Sequence, residues 1–169
     1  DSKALDAQAG IETSMGATLA TLAGINSISG PGMLDFESCQ SLEKLVVDNE
    51  IAGMCLRLAR GIEPKEDFPA RPRFEELLRE KHLLISDHTR KYLREEHYFP
   101  GPTIVRANLS RWKEMGKKTI GERAHEEVER LIAEAVPSRL GDDVKRELGK
   151  LMRDEVRCHG MDDLPGSRA

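Results

Sequence analysis

The stretch that decides the fold class is residues 25–32, which read Ile-Asn-Ser-Ile-Ser-Gly-Pro-Gly. Residues 25–29 form a short run rich in β-branched side chains, and Gly30-Pro31-Gly32 then interrupts regular structure. The pattern predicts a buried strand that runs into a tight loop.

Helical patterns flank this predicted strand on both sides. Before it, apolar residues recur at steps of three and four, which predicts a helix over about 4–23. These residues are Ile11, Met15, Leu19 and Leu22. After the loop, Ser41 is a suitable N-cap for a helix over about 41–60. A helix–strand–helix order is typical of α/β architecture, in which a strand pairs with parallel neighbours.

The predicted strand has no evident partner in the rest of the sequence. An unpaired buried strand would leave backbone N–H and C=O groups without hydrogen bonds, which is costly. Three explanations stay open. The partner strands belong to a missing N-terminal part, the chain satisfies the strand by self-association, or the segment refolds.

Charge divides the chain into two parts. Residues 1–62 carry 12 charged side chains, whereas residues 63–169 carry 44. The first part is therefore predicted to be close-packed, and the second to consist of solvated helices. The boundary lies near Gly61, where a helical pattern ends.

The second part is predicted to be helical throughout. Apolar spacing indicates helices over about 72–84 and about 87–97, the latter capped by Ser86. Thr119 and Glu122 have the spacing of a capping box, and the helix that they begin extends to Pro137. A last helix is expected over about 142–157, with Asp142 as its cap.

Composition excludes several classes of protein. The 169 residues include 26 Lys and Arg against 30 Asp and Glu, a formal net charge of −4, so the footprint of a nucleic-acid binder is absent. No apolar run approaches the ~20 residues of a membrane-spanning helix. Cys39, Cys55 and Cys158 are widely spaced, which favours reduced thiols in a cytoplasmic protein. We therefore expect neither nucleic acid nor membrane as a partner.

The sequence contains no complete metal-binding or phosphate-binding motif. His125-Glu126 begins like a zinc-protease motif, but Glu129 stands where the second histidine is required. Cys158-His159 is a single pair without two further ligands. Gly30-Pro31-Gly32 lacks the lysine of a phosphate-binding loop. No metal site is predicted.

A cluster of polar residues lies around the start of the first helix. It consists of Asp1, Lys3, Asp6, Gln8 and Glu12. Acidic groups at a helix N-terminus commonly cap backbone N–H groups, and spacing alone favours this interpretation. The alternative is that they follow a strand end and belong to an active site.

These residues also resemble a known family. The segment Asp1-Ser2-Lys3-Ala4-Leu5-Asp6-Ala7-Gln8-Ala9-Gly10, with Glu12, resembles a segment of the trimethylamine methyltransferase family, which includes methylamine and glycine betaine:corrinoid methyltransferases. The likeness continues through residues 22–26, 30–35, 45–51 and 84–94, and through Arg111-Trp112 and Arg123-Ala124.

The resemblance implies that the chain is the C-terminal part of a TIM (β/α)₈ barrel with appended helices. A complete barrel needs about 250 residues. Residues 1–62 would then supply the last helix–strand–helix part, and residues 63–169 a C-terminal helical extension. The chain would begin just after the strand that carries pyrrolysine in the trimethylamine enzymes. Family members without pyrrolysine share the same segment, so both possibilities stay open.

The implied reaction moves a methyl group from trimethylamine, or a related tertiary or quaternary amine, to Co(I). A cognate corrinoid protein would carry the corrinoid, and this chain would bind no cofactor or metal directly. Catalytic residues would lie before Asp1. The candidates that would face substrate or corrinoid are Asp1, Lys3, Gln8, Ser29, Gly30, Gly32 and Asp35.

Two further expectations concern the surroundings of this site. Every aromatic residue lies at or beyond Phe36, so an aromatic cage for the amine would come mainly from elsewhere in the enzyme. The isolated chain is expected to be inactive and to form a homo-oligomer. The alternative function is a non-catalytic helical module that self-associates or docks the corrinoid protein.

Overall fold

A computed structural model describes residues 2–66, 68–135, 139–161 and 164 of the chain. Its contacts divide the chain into two compact units, Asp1–Ala133 and Glu134–Ala169. The boundary predicted at residue 62 concerns a larger barrel and stays a prediction.

The described part of the chain is predominantly helical with two short strands, as predicted. In the first unit the elements are α1 (Ala7–Leu22), β1 (Met33–Leu34), β2 (Cys39–Gln40), α2 (Leu42–Arg60), α3 (Arg71–Glu80), α4 (Asp87–Glu96), α5 (Leu109–Glu114) and α6 (Ile120–Ala133). The second unit contains α7 (Asp142–Cys158). The strands form an antiparallel hairpin, in which Met33 pairs with Gln40 and Leu34 with Cys39.

Local capping signals are confirmed at three helices. The Ser41 hydroxyl accepts the Lys44 N–H at 3.1 Å at the start of α2. Ser86 caps α4 in the same way. Before α6, the Glu122 carboxylate accepts the Thr119 N–H at 2.7 Å, as a capping box requires.

Other helix boundaries differ from the prediction. Helix α3 ends at Glu80 because Lys81 adopts a left-handed conformation with φ +63°. Gly141, rather than Asp142, occupies the N-cap of α7 and makes no side-chain cap bond. Helix α5 was not predicted; Asn108 caps it by accepting the Arg111 N–H.

The strand predicted over residues 25–29 is wrong for this chain. The structure assigns no regular secondary structure to this segment, and Ile25 and Ile28 are 55% and 45% exposed. A strand exists only where a neighbour supplies ladder hydrogen bonds. Within the described residues, β1 and β2 pair with each other and leave no strand for this segment.

Fewer residues of the first part, residues 1–62, are buried than its composition predicts. Helix α2 packs against α1 and α6, and the buried apolar residues in the described part of the first unit are few and mostly small. They are Ala9, Leu34, Val47, Cys55, Ala124 and Val128. The large apolar side chains of α1 are exposed. No helix in the described part of the chain is both long and apolar enough to cross a membrane.

Candidate functional site

A tight loop joins α1 to the hairpin and contains the Gly30-Pro31-Gly32 motif. The Met33 N–H donates to the Gly30 carbonyl at 2.9 Å, and the Ser41 N–H donates to the Gly32 carbonyl at 2.8 Å. Gly32 has φ +81°, a conformation that favours glycine. A Cβ atom at Gly32 would also lie 3.0 Å from the Leu45 Cβ. The loop therefore requires glycine for both its conformation and its packing.

A buried ion pair on α2 is hydrogen-bonded to this loop. The Asp48 Oδ2 accepts the Gly32 N–H at 2.7 Å and lies 2.5 Å from the Lys44 Nζ. Lys44 also donates to the Thr13 hydroxyl of α1 at 3.0 Å. Both charged side chains are buried. The pair thus joins α1, α2 and the glycine loop through hydrogen bonds.

The N-terminal segment crosses the turn of the hairpin. The Asp35 N–H donates to the Ser2 carbonyl at 2.9 Å. The Lys3 Nζ lies 3.8 Å from an Asp35 carboxylate oxygen and 4.8 Å from the centre of the Phe36 ring. An ammonium group is therefore placed between a carboxylate and an aromatic face, the arrangement of a cation–π contact.

The turn itself has an unusual backbone. Asp35, Phe36 and Glu37 are consecutive non-glycine residues with φ between +48° and +65°. L-residues adopt this region rarely because of steric crowding at Cβ. The turn directs the Glu37 carboxylate toward Gly30, where a Cβ would lie 3.6 Å from the Glu37 Oε1.

A cavity of about 390 Å³ lies between α1, α2, the glycine loop and the hairpin turn. Its lining includes four carboxylates and one ammonium group. They are Glu12, Asp35, Glu37 and Asp48, and Lys44. The volume is in the range of pockets for small ligands. Because carboxylates outnumber the ammonium group, the cavity favours a cationic ligand over an anionic one.

Glu12 of α1 lines the cavity and is held by hydrogen bonds from neighbouring residues. The Glu12 carboxylate accepts the Ser2 N–H at 3.0 Å and the Gln8 side-chain amide at 2.8 Å. Asp6 is the N-cap, accepting the Ala9 N–H at 3.1 Å. That backbone bond, with the Ser2 hydroxyl, lowers the pKa of Asp6 below its ordinary value.

The structure brings most of the predicted site residues together. Ser29, Gly30 and Asp35 line the cavity, and Gly32 bonds to Asp48 in its wall. Lys3 contacts Asp35 at the edge, whereas Gln8 is exposed and reaches the cavity only through Glu12. Asp1 lies outside the described residues. Whether these residues contact a substrate stays a prediction.

Sequence reasoning missed several residues that line this site, and five of them matter most to its chemistry. They are Thr13, Phe36, Glu37, Lys44 and Asp48. Phe36 and Glu37 directly follow Asp35, so adjacency was an available signal. Lys44 and Asp48 have the i,i+4 spacing of an ordinary surface pair, and nothing local distinguishes a buried pair from an exposed one.

The motifs set aside as metal sites make other contacts. The His125 Nδ1 lies 3.0 Å from a Glu43 carboxylate oxygen, so this histidine joins α6 to α2. His159 contacts Glu155 on its own helix at 3.2 Å. Among the residues that the structure describes, no three His, Cys, Asp or Glu side chains converge to hold a metal ion.

The chain is similar to methyltransferases along most of its length. The family model described as trimethylamine methyltransferase (MTTB) matches residues 1–156. A glycine betaine methyltransferase of Desulfitobacterium hafniense (strain Y51) is 34% identical over 149 residues, which cover 88% of this chain and 31% of the relative. The trimethylamine methyltransferase MttB of Methanosarcina barkeri is 33% identical over 133 residues, covering 78% of this chain and 26% of the relative. The chain thus spans less than a third of the length of these two relatives.

Proposed function

Since the chain belongs to the trimethylamine methyltransferase family, we propose that it is the C-terminal part of an enzyme that demethylates a tertiary or quaternary amine. The methyl acceptor would be the Co(I) of a cognate corrinoid protein. The observation that carries this proposal is the family match, which runs through the whole cavity region.

The acidic cavity suits the chemistry of such a substrate. An amine becomes a good leaving group only when its nitrogen carries positive charge, as a protonated tertiary or a quaternary ammonium. The C–N bond then breaks with its electron pair moving to nitrogen, while Co(I) supplies the two electrons of the new bond to carbon. Carboxylates around the cavity attract the cation and orient it.

We expect a separate protein, rather than this chain, to carry the corrinoid. The cavity has the size of a small-ligand pocket, and its lining includes neither histidine nor cysteine to ligate cobalt. These residues do not fit a resident corrinoid. The role of this chain would be to bind and position the amine.

Three observations support the proposal that the chain completes a TIM barrel. Residues 25–29 have a strand-like sequence but lack strand partners among the described residues, and α1 exposes an apolar face. The two relatives named above are also about three to four times as long as the matched region. Strand eight and its loop would be formed by residues 25–35.

The decisive test compares the full-length enzyme with the 169-residue chain. Each would be mixed with trimethylamine or glycine betaine and a corrinoid protein reduced to Co(I), and methyl-Co(III) would be followed by visible absorbance. We expect turnover from the full-length enzyme and none above the protein-free control from the chain alone, because barrel sites draw on several strands. Turnover by the chain alone would contradict the barrel dependence. Failure of the full-length enzyme on every methylated amine would contradict the proposed reaction.

The genomic sequence before the codon for Asp1 distinguishes the two kinds of relative. An in-frame TAG preceded by barrel-like coding sequence would indicate a pyrrolysine enzyme. A sense codon there would favour an enzyme for betaine-like substrates.

We place the reaction in the cytoplasm because the three cysteines are free thiols.

The exposed face of α1 favours a second function for the isolated chain, a self-associating helical module. Its apolar side chains are Ile11, Met15, Leu19 and Leu22, all above 60% exposed. Contiguous exposed apolar surface commonly marks an interface. Size-exclusion chromatography with light scattering would detect oligomers of the 169-residue chain. A cooperative, monodisperse monomer would count against this function.

A further inference from the structure

We propose that the Phe36 ring and the Asp35 carboxylate form a subsite for a methylated ammonium group, at the position that the Lys3 ammonium takes in this structure. The inference rests on the proposed function only for the identity of the ligand. The subsite itself follows from the geometry at the edge of the cavity.

The position beside Phe36 and Asp35 has the chemistry that a methylated ammonium ion requires. The Lys3 Nζ lies 4.8 Å from the centre of the Phe36 ring and 3.8 Å from Asp35. A trialkylammonium or tetraalkylammonium ion needs the same two partners, an electron-rich aromatic face and a nearby negative charge. Unlike a primary ammonium it has at most one N–H group, so the aromatic face matters more to it.

The position is accessible to a ligand in the cavity. Phe36 is 70% exposed, and both Phe36 and Asp35 line the cavity. The Lys3 side chain is 65% exposed, so it can swing into solvent without leaving a buried charge behind. A ligand in the cavity can thus replace Lys3 against the ring.

A similar contact elsewhere in the first unit lies away from this cavity. The Lys91 Nζ lies 4.9 Å from the centre of the Tyr92 ring and 2.6 Å from a Glu66 carboxylate oxygen. Neither Lys91 nor Tyr92 lines the cavity beside Phe36. The cavity, with its excess of carboxylates, is what distinguishes the Phe36 position from an ordinary surface contact.

The direct test is calorimetric titration of the full-length protein with choline as the probe. The control ligand is 3,3-dimethylbutan-1-ol, in which carbon replaces the choline nitrogen, so that it has the same shape without the charge. We expect choline to bind and the analogue not to bind. Phe36→Leu keeps an apolar side chain but removes the aromatic face, and we expect it to weaken choline binding by about 2- to 30-fold. Phe74→Leu is the matched control, because Phe74 is similarly exposed and lies outside the cavity lining.

Lys3 has the opposite expected effect. Lys3→Gln removes the competing ammonium, so choline should bind at least about twofold more tightly. Lys91→Gln removes the same charge elsewhere and should leave the affinity unchanged. In the Phe36→Leu background, Lys3→Gln should no longer tighten binding, since the two groups share one position.

The outcomes separate this inference from the proposed function. The subsite is contradicted if choline does not bind, if the analogue binds equally well, or if either variant matches its control. Choline binding with the expected pattern, but without methyl transfer from any amine, would leave the subsite intact and contradict the reaction. Methyl transfer with a KM that neither Phe36→Leu nor Lys3→Gln changes would support the proposed reaction and contradict the subsite.

Discussion

Helices α1 and α2 have similar lengths, 16 and 19 residues, but they bury different kinds of side chain. Helix α1 buries the small residue Ala9 and exposes its large apolar residues. Helix α2 buries two apolar residues and three charged ones. The latter are Lys44, Asp48 and Glu50.

The difference lies in where the partners of each helix are found. The charges of α2 are satisfied within the chain: Lys44 and Asp48 pair with each other, and Glu50 accepts hydrogen bonds from Tyr98 and Gly101. Burial and the Glu50 carboxylate both raise the pKa of the Tyr98 hydroxyl. The apolar face of α1 needs a covering surface that the described part of the first unit does not supply. A buried charge demands specific partners, whereas an apolar face demands only area.

The largest expected effect comes from breaking the buried pair of α2. Asp48→Ala leaves the Lys44 ammonium buried without its carboxylate and frees the Gly32 N–H, so we expect a loss of about 3–5 kcal/mol in the free energy of unfolding. Urea denaturation followed by circular dichroism measures this loss. Replacing both partners, Lys44→Met with Asp48→Leu, should cost clearly less than the single change. A single variant as stable as the wild type would show that the pair is not buried.

Leu→Ala substitutions at a buried and at an exposed position test whether the apolar side chains of α1 are exposed. Leu34 is 8% exposed in the hairpin, and Leu34→Ala should cost about 2–5 kcal/mol. Leu19 is 62% exposed on α1, and Leu19→Ala should change the free energy of unfolding of the 169-residue chain by no more than about 0.5 kcal/mol. In the full-length enzyme, a larger cost for Leu19→Ala is expected if a barrel covers α1. Equal costs for the two variants in the 169-residue chain would contradict the exposure of this face.

A substitution in the glycine loop, which α2 contacts, should have a smaller effect on the free energy of unfolding. Gly32→Ala combines a strained backbone with a Cβ that crowds Leu45 and Gln40, whereas Gly24→Ala has a similar φ, +73°, in open space. We expect Gly32→Ala to cost about 1–3 kcal/mol more than Gly24→Ala, because overpacking adds to strain. Thermal denaturation of both variants measures the difference. Matching melting temperatures would contradict the close packing of the loop.

The smallest effect is a pH dependence where α6 meets α2. The Glu43 carboxylate raises the pKa of His125 above its ordinary 6.5, and His125 in turn lowers the pKa of Glu43 below its ordinary 4.5. The contribution of His125 is complete below 6.5 and is lost as pH rises through its raised pKa; that of Glu43 is lost as pH falls through its lowered pKa. The melting temperature of the wild type should therefore exceed that of His125→Gln slightly at about pH 5.5, and less at about pH 8.5.

Salt provides the control for this last prediction. The pair is partly exposed, so about 1 M NaCl should reduce the difference at the lower pH. A difference that grows with pH would contradict the sign argued from the two pKa shifts.

The amino-acid sequence by itself determined the local features of this protein. The caps at Ser41, Ser86 and Thr119 act on backbone groups within three residues, so the helices that follow them were predictable. Gly32 was likewise predictable as a loop residue. The family was recognisable because its segments recur in order along the chain.

Only the tertiary structure decided which residues meet across the chain. Residues 25–29 have the composition of a strand, but a strand is defined by a neighbour, and the described residues supply none. The burial of Lys44 and Asp48 depends on Thr13 and Gly32, which are far from them in sequence. Lys3 meets the Phe36 ring because the N-terminal segment crosses the hairpin turn. These contacts are non-local, and local propensity and spacing carry no record of them.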